Sequence, residues 1–154
     1  MIEIQHAPNQ WSCLATSFAM CFNIPILELF KLLGHDGSEI IWPDLEEPLC
    51  HRGHHLQELI DAGIHLNYAT MYVERENVLM HPTKDDFIII QPKLTIESYF
   101  DRFPGVILGI FNKIRHAVAY EKGIIYNPNG QVSEYKRDFE ILAYCPVIKL
   151  PIEI

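Results

Sequence analysis

The chain is poor in basic residues: 12 lysines and arginines stand against 20 aspartates and glutamates, a formal net charge of −8 at pH 7. A phosphate backbone or an anionic bilayer meets overall repulsion, so neither nucleic acid nor a membrane surface is an expected partner. No consecutive apolar run is long enough to span a bilayer, and Met1-Ile2-Glu3-Ile4-Gln5-His6 has no basic stretch leading into an apolar one. A cytoplasmic protein is expected. Four cysteines, none in a Cys-x-x-Cys pair, are too few for a disulfide scaffold, so the thiols are expected to be reduced. Internal repeats, low-complexity segments and linkers are also lacking, and 154 residues with 49% apolar content suit a single domain over residues 1–154.

Helical periodicity dominates the first third. Ile2 and Ile4 alternate with Glu3 and Gln5 as in a short edge strand, and a polar loop follows. From Ser12, a suitable N-cap, Leu14, Phe18, Cys21 and Phe22 recur at helical spacing, with Ala15 and Ala19 small enough for close packing. Pro25 opens a second helix that Gly34 ends. Residues 35–53 have no clean period and read as loop. Leu56, Leu59 and Ile60 signal a third helix with Gly63 as its stop. Ile96, Tyr99, Phe100 and Phe103 signal a fourth, with Thr95 as cap and Pro104 as terminator. The second half turns to β-rich runs at 87–90, 106–111, 117–120, 124–126 and 147–150. Helices followed by strands predict an α+β fold with N-terminal helices packed on an antiparallel sheet.

Cys13 is the cysteine placed where a helix begins. Unpaired backbone N–H groups there carry partial positive charge, which favours the thiolate and makes a nucleophile. Cys21 and Cys145 sit in apolar patterns and read as small buried hydrophobes. Of the eight histidines, His116 opens an apolar strand, Ala117-Val118-Ala119-Tyr120, and is the candidate base. The reversal at Tyr120-Glu121-Lys122-Gly123-Ile124 makes a hairpin. With Glu121 and Lys122 as its loop, Asn127 lies directly opposite His116, where Cβ atoms are about 4.5–5.5 Å apart. A three-residue loop with a bulge would slip the register and leave Asn127 diagonal. In the first case Asn127 accepts the His116 Nδ1–H and frees Nε2 for the thiol.

The segment Gln5 to Met20 with Cys13 at its helix start, then His116-Ala117-Val118-Ala119-Tyr120, then Tyr126-Asn127-Pro128-Asn129-Gly130, resembles the C39-like peptidases of the papain-like superfamily. The resemblance implies a papain-like fold and a cysteine peptidase or amidase acting on a peptide or protein substrate through an acyl-enzyme, with no cofactor and no metal. It assigns Cys13 as nucleophile, His116 as general base and acid, Asn127 as orienting residue and Gln5 as oxyanion-hole donor, with Gln10 as the alternative donor. Leu14 stands where the family often has glycine, and Asn127 where aspartate is commoner. The same thiol would serve an acyltransferase, and a papain-like binding module without activity is the reading from another class.

Two clusters are set aside on sequence grounds. Cys50-His51-Arg52-Gly53-His54-His55 has zinc-ligand chemistry but no second ligand pair at short spacing, and reads as a solvated loop and helix start, with a metal-binding protein built on this cluster as the third reading. Glu28, Glu39, Asp44, Glu46 and Glu47 read as a solvated acidic surface. Trp11 and Trp42 suit either a cleft wall or the core.

Overall fold

The computed structural model describes residues 1–75, 79–90, 96–111, 113–135 and 139–151. Helix α1 (Cys13–Phe22) is the centrepiece: every residue from Ala15 to Phe22 is buried. A helix apolar on all sides belongs inside the core, and this one packs on the sheet with α2 (Ile26–Leu33) and α3 (Leu56–His65) beside it. Asn23 ends α1 in the left-handed conformation at φ 57°, which asparagine tolerates better than most residues. Gly34 caps α2 in the same way. Gly63 does not stop α3; the helix runs through it to His65, and a Cβ there would lie 3.0 Å from the Phe22 ring. This glycine lets α1 and α3 approach.

The strands are β1 (Tyr68–Thr70), β2 (Val73–Glu74), β3 (Leu79–Pro82), β4 (Phe87–Ile90), β5 (Gly105–Phe111), β6 (Ile114–Glu121), β7 (Ile124–Tyr126), β8 (Val132–Glu134) and β9 (Glu140–Lys149), with a single helical turn α4 (Glu97–Phe100) before β5. Among the described residues, seven strands form an antiparallel sheet in the order β1-β9-β5-β6-β7-β8, with β2 also on β9; β3 and β4 pair separately. One face, through Val106, Ala117, Ala119, Cys145 and Val147, packs on α1. The other, through Ile107, Val118, Tyr120, Ile125 and Tyr144, packs around Phe100. The fully buried Phe18, Leu29, Ile107 and Val118 each contribute about 1.5–3 kcal/mol through burial. The N-terminal helices on an antiparallel sheet are the α+β arrangement expected from the sequence.

Residues 1–5 form no strand. Ile2 is buried but Ile4, expected on the same face, is exposed, and the Ile2 N–H donates to the Glu121 carboxylate and the Gln5 N–H to the Met20 sulfur, so side chains satisfy what a ladder would. The expected cap Thr95 lies outside the described residues. No single helix among those described is long and apolar enough to cross a membrane.

Candidate active site

The loop leading to Cys13 is held at both ends. At one end the Ala7 N–H donates to the Pro128 carbonyl at 2.7 Å, and His6 bridges Asn129, so the entering loop lies along the 127–130 turn. At the other end Asn9 accepts the Trp11 N–H and donates through Nδ2 to the Asp36 carbonyl at 2.9 Å. Ser12 precedes the helix, as expected, but its hydroxyl donates backwards to the Asn9 carbonyl instead of accepting a first-turn N–H. The unpaired donors of the first turn therefore remain available beside the thiol. Leu14 packs on the core.

His116 lies at the open end of β6, where exposed residues give way to the buried run from Ala117. Its cross-strand partner in β5 is Gly109. A Cβ at Gly109 would lie 2.3 Å from the Phe139 ring and 2.5 Å from the Glu140 carbonyl, so glycine is what allows the sheet to close here.

The hairpin after β6 turns on Lys122 and Gly123, both with positive φ (49° and 83°), so Glu121 pairs with Ile124 and Ala119 with Tyr126. Asn127 continues that register to a position diagonal to His116. Neither expected loop is the one formed: it has two residues, but they lie one step later, and the diagonal placement follows without a bulge.

The expected roles of the two ring nitrogens are reversed. His116 Nε2, not Nδ1, meets Asn127 Oδ1 at 2.9 Å. The same Oδ1 accepts the Asn129 N–H at 3.1 Å, which identifies it as the amide oxygen. Nε2 must then carry the proton, and Nδ1 is the nitrogen left for the thiol. Asn127 is 9% exposed, and its backbone closes a turn with Gly130 and Gln131.

Cys13 and His116 interact electrostatically. Burial pushes the Cys13 thiol up, but the hydrogen bond to His116 and its charge, together with the N–H groups of Ala117 and Leu14, bring the net pKa below the ordinary thiol value. For His116 the hydrogen bond to Cys13 is the largest effect and raises the pKa; burial opposes it, and Asn127 and the thiolate charge reinforce it. The pair is biased toward thiolate and imidazolium. The other thiols behave differently: Cys21 is pushed up by burial, and Cys145, fully buried, is pushed up to about 12.

Gln5 is not at this site. Its Nε2 donates to the Ile24 carbonyl at 2.7 Å and its Oε1 accepts the Ile26 N–H at 2.8 Å, so the amide staples the α1–α2 connection at the opposite end of α1 from Cys13. The assignment as oxyanion donor is corrected on that ground. Gln10 is exposed on the turn three residues before the thiol. Cys50 and His51, read as solvated, are in fact buried or nearly so: Cys50 is 5% exposed and the His51 side chain 7%. Trp11 stacks on His51 at 3.9 Å, while Trp42 is exposed.

No protein-family model and no curated protein sequence matches the chain. Its structure is similar to a solved structure described as a double glycine motif protease from an AMS/PCAT transporter in complex with the leader peptide, at TM-score 0.60 and 13% sequence identity, covering 97% of this chain and 92% of that one. With its N-terminal helices on an antiparallel sheet, the chain has the α+β papain-like fold that this structure shares.

Proposed function

We propose that the chain is a cysteine-dependent hydrolase of peptide or amide bonds, with Cys13 as nucleophile, His116 as acid and base, and Asn127 as orienting residue. The observation that carries this reading is the His116 Nε2–H bond to Asn127 Oδ1, which leaves the Nδ1 lone pair free on a ring that interacts electrostatically with the Cys13 thiol. The likeness to a protease bound to a leader peptide supports a peptide as substrate.

The Cys13 thiolate attacks the carbonyl carbon, forming a C–S bond and moving an electron pair to the oxygen. First-turn N–H groups of α1 and the Gln10 amide hold the oxyanion. As it collapses, the C–N bond breaks and the imidazolium delivers its Nδ1 proton to the leaving amine. A water deprotonated at Nδ1 then attacks the thioester, releasing acid and regenerating the thiolate.

The test is a small activated ester, followed by burst kinetics and intact-mass measurement. Wild type should give a burst and an acyl adduct on Cys13, Cys13→Ala none, and His116→Ala no burst at neutral pH. A protein that remains unacylated while folded, or an adduct that survives Cys13→Ala, overturns the proposal.

A further inference from the structure

We infer that Glu47, Cys50 and His51 form a metal site for a zinc-class divalent ion, separate from the Cys13 centre. One ligand atom from each lies within 4.8 Å of the others. A thiolate, an imidazole and a carboxylate are a zinc donor set, and three protein ligands leave a fourth position for water.

The hydrogen bonding around His51 points the same way. Its Nδ1–H donates to the Ser38 carbonyl at 2.7 Å. A backbone carbonyl on the distal nitrogen is the usual outer support of a metal-bound imidazole, and it turns the Nε2 lone pair toward the cluster. His51 Nε2 is buried and faces Glu47 Oε2 at 2.6 Å, a pairing that an ion taken up between the two would replace. Tetrahedral zinc would hold such ligands roughly 3.3–3.6 Å apart, from metal–ligand lengths of about 2.0–2.3 Å. The Glu47 side chain is exposed and is the ligand with room to adjust toward that spacing, whereas Cys50 and the His51 ring are largely buried.

A second cluster, His35, His54 and Glu58, has similar composition but the wrong tautomer. His35 Nδ1 accepts the Gly37 N–H, so Nε2 keeps its proton and donates to Glu58 at 3.0 Å. That histidine presents no lone pair to a metal.

The inferred site also has a place in the architecture. The His51 ring stacks on Trp11, whose chain continues through Ser12 into Cys13. Metal bound at Nε2 would brace the loop beneath Trp11, and the Cys50 proton would leave to solvent on binding.

The full chain, stripped with chelator and desalted, is titrated with zinc alone and, in parallel, with cobalt(II) as a spectroscopic substitute. About one zinc per chain should be retained through gel filtration, and cobalt should give a thiolate-to-metal charge-transfer band. Cys50→Ser should abolish that band, and Glu47→Gln, at an exposed position that does not threaten folding, should weaken zinc binding at least tenfold. Cys13→Ser should change neither. Failure of wild type to retain zinc, a cobalt–thiolate band that survives Cys50→Ser, zinc affinity unchanged in Glu47→Gln, or loss of the band in Cys13→Ser overturns the inference.

Discussion

Removing the Asn127 amide should narrow the pH range of the Cys13–His116 ion pair from one side only. Asn127 Oδ1 accepts the His116 Nε2–H in both protonation states of the ring, so what matters is the difference between a charged and a neutral donor. A hydrogen bond to a charged group contributes about 1.5–3 kcal/mol and one between neutral groups about 0.5–1.5, a difference of about 1–1.5 kcal/mol. At 1.36 kcal/mol per unit this lowers the His116 pKa by about one unit in Asn127→Ala. The sign follows from linkage: the raised histidine pKa is the alkaline boundary of the thiolate–imidazolium state, and that boundary moves to lower pH. The acid boundary, where Cys13 loses its proton beside an imidazolium already formed, should hardly move, because Asn127 contacts the same charged ring before and after. Asn127→Asp keeps the acceptor and adds a negative charge, and should raise the same boundary by about 1–3 units. Imidazole NMR titration of His116, read with the pH profile of Cys13 alkylation, separates the two boundaries. An Asn127→Ala variant whose alkaline boundary stays in place, or whose acid boundary moves by a unit instead, would refute the assignment of Nε2 to Asn127.

Iodoacetamide at pH 6 should modify Cys13 well before the other thiols, since its pKa is lowered while burial raises those of Cys21 and Cys145; peptide mapping that finds Cys21 or Cys145 labelled in the native protein contradicts this. Gln5→Ala should cost about 1–3 kcal/mol in chemical denaturation through the lost bonds to Ile24 and Ile26, yet leave the Cys13 alkylation profile unchanged. Gln10→Ala should do the reverse, slowing acylation with little change in stability. Gly109→Ala should lower stability by about 1–3 kcal/mol in a thermal melt, because its new methyl overlaps Phe139 and the Glu140 carbonyl; an unchanged melting temperature would mean that β5 and β9 are not packed as described.

Features governed by local chemistry were the most legible in the sequence. The periodicity of Leu14, Phe18 and Phe22 locates α1, and the position of Cys13 at its start needs no tertiary information. The hairpin joining His116 to Asn127 was readable as a hairpin, but its register was not. Lysine gives little warning that it will occupy the left-handed conformation, so the loop falls one residue later than the pattern suggests. Gln5 shows a different limit. A glutamine a few residues before a helix-starting cysteine is chemically suited to an oxyanion, and only the fold reveals that its amide is engaged about twenty residues downstream. Strands β1 and β2, of three and two residues, are too short for alternation to mark. They exist because the ten-residue β9 offers them an edge, and Pro146 within β9 disguises that strand's own length. The burial of the His51 ring likewise depends on Trp11, forty residues earlier in the chain, stacking on it.

The thiol and the imidazole proposed to activate it lie about a hundred residues apart in the chain, one at the start of the first helix and the other in the sixth strand. During synthesis Cys13 emerges long before its partner, and a collapsed intermediate with helices formed but the hairpin undocked holds an ordinary thiol. Nucleophilicity is thus a property of the finished topology, and the chain is chemically quiet until its last third has found the first. The rate of Cys13 alkylation in a refolding mixture would therefore serve as a clock for the docking of that hairpin.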